Sequence, residues 1–189
     1  LLFGFLIGRV VLLERNPAGA AFFVAGLVQG GGVLPLLASV GLGMLSALSL
    51  EAVLRYSVAM VGVIFAQRLM RKQKIKMNIW QSSGLMAATL AILSVTQYTI
   101  LPWQWKDILF TVLEPVLVVA LARVFAEGQR YLLHYRRGRQ ACQEEVLSLI
   151  LIGMLAMYGI PEMMISDISL TELAVFLIIP FAGYQYGIG

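Results

Sequence analysis

The stretch Arg123–Arg139, RVFAEGQRYLLHYRRGR, decides how this chain is read. It holds Arg123, Arg130, Arg136, Arg137 and Arg139, five of the fourteen basic residues, and long apolar runs flank it on both sides. A basic segment between two apolar runs is held on the cytoplasmic side of a membrane, because Lys and Arg near span ends resist translocation. With this loop inside, the side of every other link follows by counting crossings.

The chain around it has 189 residues, 60% hydrophobic and 13% charged, with a mean hydropathy of +0.86. A soluble domain carries roughly 25% charge and cannot hide this much apolar surface. Apolar runs near the length of a spanning helix recur along the sequence. The fold class expected is therefore all-α, a polytopic transmembrane helical bundle of about eight spans, forming one membrane domain over 1–189. The net charge of +4 is not a nucleic-acid signal, because five more basic residues (Arg68, Arg71, Lys72, Lys74 and Lys76) form a second cluster of the kind the topology rule requires. A single Cys, Cys142, excludes an internal disulfide. The chain opens and closes beside apolar runs, so it reads as a fragment of a longer protein.

Span one is Leu1–Leu13, with Gly4 and Gly8 as a small-residue pair that lets another helix approach. Glu14, Arg15, Asn16 and Pro17 read as a short external turn. Pro17–Leu50 is divided by Gly30, Gly31 and Gly32, which predicts two short spans joined by a tight turn, or a re-entrant loop. Span four, Glu51–Leu69, opens with Glu51 and Arg55 on one helix face, read as a surface pair. Span five runs from Trp80 to about Leu101, with indole rings of Trp80, Trp103 and Trp105 marking headgroup depth. Span six, about Ile108–Phe125, contains Glu114 and Pro115, and span seven, Val146 to about Ile160, follows Glu144 and Glu145. Span eight is Leu170–Ile188. Both basic clusters then fall inside, and the links Glu14–Pro17, Pro102–Asp107 and Pro161–Ser169 fall outside.

Glu114 is the most informative residue. An ionised carboxylate within an apolar run costs several kcal/mol unless it is paired or protonated. One reading pairs it structurally with Arg9 of span one; the other makes it the proton or cation site of a small-molecule or ion transporter. A transporter would carry a second intramembrane polar cluster and an inverted repeat, and neither is legible. Arg9 has its own alternative, snorkelling to the headgroups. His134, the lone histidine, makes a poor metal site. Arg130, Arg136, Arg137 and Arg139, beside Tyr131, Leu132, Leu133 and Tyr135, form a candidate surface for anionic lipid or for a partner. There is no P-loop, zinc-protease motif or nucleophile elbow, so no catalytic, cofactor or metal residue is assigned.

Three stretches together resemble the N-terminal membrane region of the stage II sporulation protein E family. They are Gly4–Arg9 followed by Ala18–Leu27 (AGAAFFVAGL), Glu114 followed by a basic link, and Gln143–Val146 followed by a glycine-rich span. Gly30–Pro35 and Trp103–Trp105 have no counterpart in that pattern. The resemblance implies a multi-pass protein of the cell membrane, acting at the asymmetric division septum and self-associating. It implies a longer parent, with a central region linked to the cell-division protein FtsZ and a C-terminal manganese-dependent serine phosphatase of the PP2C type. That phosphatase acts on an anti-anti-sigma factor and so activates a forespore sigma factor. The manganese-binding aspartates of that family have no counterparts in this stretch, so the resemblance implies an anchoring role here.

The two basic clusters generate a topology test. Reporter tags after Lys74 and Gly138 should be cytoplasmic, and tags after Asp107 and Asp167 exterior. If the first two reported opposite sides, the number of crossings between them would have to be odd.

Overall fold

The computed structural model describes residues 1–12, 15–98, 105–133, 142–160, 164–165 and 168–169. Seven helices fill the described residues: α1 (Leu2–Gly8), α2 (Pro17–Val28), α3 (Val33–Leu45), α4 (Leu50–Lys72), α5 (Ile79–Tyr98), α6 (Trp105–Leu133) and α7 (Gln143–Tyr158). Beyond α7, β1 (Met164–Ile165) and β2 (Ile168–Ser169) pair antiparallel.

The helix boundaries follow capping chemistry. The Asn16 side chain accepts from Gly19 N–H, and Pro17 occupies the first helical position, where its missing donor does no harm. Ser49 caps α4 in the same way through Ala52 N–H. At α7 the buried Glu145 carboxylate accepts from Cys142 N–H at 3.0 Å, one half of a capping box. The acids read as the opening of span seven thus have a local task. The end of α4 closes with Ile75 N–H on Met70 C=O and Lys74 N–H on Arg71 C=O. Lys74 is in the left-handed region, φ 60, where glycine is usual and an L residue costs roughly 1–2 kcal/mol.

Among the described residues, three stretches are long and apolar enough to cross a membrane: Leu50–Lys72, Ile79–Gln97 and Ile108–Leu132. This is fewer than the eight expected. At 1.5 Å per residue, helices such as α2 and α3, with 12 and 13 residues, fall well short of the roughly 30 Å hydrocarbon core. The expected span eight lies outside the described residues. Pro115 lies within α6 without ending it.

Hydrogen bonds between helices set their directions. Arg55 meets Ser94 and Gln67 meets Ser82, so α4 and α5 run antiparallel. The α2 helix lies along α6: Gln29 Nε2 donates to Ala126 C=O, Gln129 Nε2 donates to Phe22 C=O, and the Phe22 and Phe125 rings meet edge to face at 5.8 Å. The helix is apolar all round and buried from Pro17 to Leu27, which a run of Ala and Gly with two Phe permits in a crowded centre. Around it the bundle turns large apolar side chains outward, Leu54, Val58, Val61 and Phe65 on α4 and Leu109, Val112 and Val116 on α6. Apolar outside and polar inside is the reverse of a soluble domain and fits hydrocarbon as solvent.

The Gly4 and Gly8 pair receives α3. A Cβ on Gly8 would stand 2.5 Å from Val40 C=O, and one on Gly43 would meet Phe5 C=O. The obstacle in both cases is backbone, which cannot rotate away. Gly8→Val and Gly43→Val should therefore each lower stability in detergent by about 1–3 kcal/mol or more. Gly41→Ala, with nothing near its added Cβ, should be neutral or stabilising. Equal melting temperatures for all three would mean that α1 and α3 do not pack in this way.

Candidate functional site

The polar centre of the bundle is built where the turn before α2 meets α4, α5 and α6. Glu114, 2% exposed, is the hub. Arg15 Nη1 donates to its Oε2 and Tyr56 O–H to its Oε1. Arg55 Nη2 lies 3.0 Å from Oε1 and 3.2 Å from Oε2, while Arg55 Nη1 donates to Ser94 Oγ at 3.2 Å. Both guanidinium groups also lie over rings, Arg15 over Phe110 at 5.6 Å and Arg55 over Tyr56 at 5.0 Å.

Asn16 ties this charge cluster to the backbone of the turn. Its N–H donates to Tyr56 Oη at 2.8 Å, and its side-chain amide donates to Gly8 C=O while accepting from Gly19 N–H. One asparagine thus starts α2, takes up a buried carbonyl at the end of α1 and sets the tyrosine. Leu12 and Arg15 exchange backbone hydrogen bonds, which folds the turn tightly. Irregular backbone inside a membrane bundle is tolerated only when its polar groups are satisfied by protein or water.

This corrects the sequence reading at three points. The partners of Glu114 are Arg15 and Arg55, not Arg9, which lies at the end of α1 with its guanidinium 5.9 Å from the Phe5 ring. Arg55 turns into the bundle rather than pairing with Glu51 at the surface. Arg15 and Asn16 are buried, so the turn that contains them is not an exposed link. The missed signal was depth. Arg55 and Tyr56 stand one turn inside an apolar run, and Arg15 and Asn16 directly precede a helix with no polar face. Arg15, Arg55 and Tyr56 are each placed where a buried acid can satisfy them.

The cavity that Glu114 lines, with Arg15, Phe110 and Leu117 among its walls, measures about 20 Å³. That holds about one water. Two buried side-chain atoms in the described residues lack a partner, Arg55 Nε and Gln129 Oε1. Of the candidate lipid or partner surface, Arg130 is exposed on the last turn of α6, 4.0 Å from Glu127. Arg136, Arg137, Arg139 and His134 lie outside the described residues.

With this geometry in hand, comparison with known proteins gives one decisive match: the family described as SpoIIE, N-terminal domain, over residues 1–185. The chain belongs to the SpoIIE N-terminal domain family. No curated protein and no solved structure gives a match. The family match covers Gly4–Arg9, Glu114 and Gln143–Val146, the stretches that carry the resemblance. Its apolar helices make this SpoIIE N-terminal domain a membrane domain.

Removing one partner of a buried charge cluster leaves the others uncompensated, at a cost of about 3–5 kcal/mol. Glu114→Gln keeps the shape and removes the charge, so it should lower stability in detergent by that amount. Arg9→Gln, which loses only a stacking contact, should cost under about 1 kcal/mol. Thermal melting of both variants in one detergent checks this; equal shifts would contradict the pairing.

Proposed function

We propose that this chain is the membrane-anchoring and positioning domain of a longer sporulation phosphatase. Its family membership supports the anchor, and the chemistry at Glu114 favours an anchor over a transporter. Both carboxylate oxygens are taken by arginine and tyrosine donors, and the adjoining cavity is water-sized, so a passing cation or substrate has neither free ligand nor room. A charge that is fixed and satisfied on every side sets helix register; a transport site must exchange its partners.

On this proposal the parent carries a manganese-dependent PP2C-type phosphatase beyond this chain. That enzyme dephosphorylates an anti-anti-sigma factor, and a connecting region meets FtsZ at the asymmetric septum. The anchor's contribution is placement: tethering and self-association confine the enzyme to one membrane surface and raise its local concentration there.

The test separates anchor from transporter. Fused to a soluble phosphatase, the chain should carry the activity into the membrane fraction. Reconstituted alone in liposomes, it should give no proton or cation flux above protein-free vesicles. A flux that disappears in Glu114→Gln would replace the anchor with the transporter.

A further inference from the structure

A different feature lies where the turn between α2 and α3 meets the end of α4. Two adjoining cavities, about 480 and 360 Å³, share Gly30, Gln67 and Arg71 in their walls. Lys74 and Lys76 complete the larger one and Arg68 the smaller, and no acid lines either. Among the described residues, none of the four cations Arg68, Arg71, Lys74 and Lys76 pairs with a carboxylate. The cleft is thus a concave surface with several cationic donors, the Gln67 amide and an open glycine turn. Gly30, at φ +85 with open space about it, leaves one wall free of side chain.

Lys74 gives a second, independent sign. It occupies the left-handed position of the turn that ends α4, where glycine would be unstrained. Backbone strain of this kind persists where the residue is needed for something else. Here the residue carries a charge to the wall of the larger cavity. Trp80 fixes the depth. It is half-exposed in the first turn of α5, directly after the cleft loop, with the Arg123 guanidinium 5.4 Å from its ring. An exposed tryptophan at the end of a span marks headgroup level.

We infer that this cleft holds the phosphate of an anionic lipid headgroup. Arg71, common to both cavities, supplies the planar donor fork that matches phosphate oxygens. Lys74 and Lys76 add charge from the turn that follows Arg71, and the Gln67 amide, which also donates to Ser82, lies in the same wall. The site is separate from the Glu114 cluster and does not depend on the anchoring role. It would give the domain a preference for membrane rich in anionic lipid.

The experiment uses the purified chain titrated with phosphatidylglycerol or phosphatidylcholine and read by native mass spectrometry. Phosphatidylglycerol should bind in preference. Arg71→Gln and Lys74→Gly should each weaken it about fivefold, as expected for one basic residue near an anionic surface. Lys74→Gly should melt no lower than the parent, since glycine relieves the strained φ, which separates lost binding from lost folding. Equal binding of the two lipids, or unchanged phosphatidylglycerol affinity in both variants, overturns the proposal. So does inorganic phosphate occupying the site as well as the lipid, which would make the free ion the ligand.

Discussion

A carboxylate held away from water must be neutralised by what surrounds it, and Glu114 imposes that condition on the whole bundle. Its partners come from distant parts of the chain: Arg15 from the turn before α2, Arg55 and Tyr56 from α4. These elements meet only if α2, α4 and α6 stand at one relative depth. A buried ion cluster contributes little net stability over an apolar core of the same shape, because desolvation offsets attraction. It does penalise every arrangement that separates the charges. Helices greased by lipid on their outer faces gain little from apolar contact with each other, so such a penalty is a strong selector of register.

The same cluster explains the short central helix. Because α2 starts beside Glu114 rather than at the bundle's end, its N-terminal N–H groups need satisfaction inside the protein, and Asn16 supplies part of it. Crowding α2 between its neighbours then requires small side chains, and Gly8 and Gly43 bring α1 and α3 into backbone contact beside it. Tight packing of small residues replaces the hydrophobic drive that a bundle in lipid lacks. A centre whose carboxylate oxygens are both held by arginine and tyrosine donors is what a positioning domain needs, and it is poorly suited to a site that must open and close.

Several features were open to a reader of residues alone. Gly4 and Gly8 announced a close helix approach, and the break at Gly30–Gly32 announced paired short helices. The QEEV opening marked the start of α7. Glu114 was conspicuous as an acid in an apolar run. Its partners were not, because Arg55 has Glu51 four residues before it and Arg15 sits among turn residues, so local rules gave each a plausible exposed role. Span length failed for a related reason: apolar composition counts residues that lipid would accept, but α2 is apolar because it is packed in protein, and α3, which turns Leu34, Leu42 and Leu45 outward, is too short to cross.

By itself, then, the sequence determined the solvent, the class and the family: too little charge for water, helices for hydrocarbon, and the stretches that the SpoIIE N-terminal domain pattern matches. These depend on composition and short-range order, which a linear reading carries in full. Only the tertiary structure decided which arginines neutralise Glu114, which apolar helices face lipid and which face protein, and that Arg71 and Lys74 share a cleft with Gly30. Pairing between charges far apart in the chain depends on the relative depth and direction of whole helices. That depth is set by the sum of all packing contacts, and no local pattern encodes it.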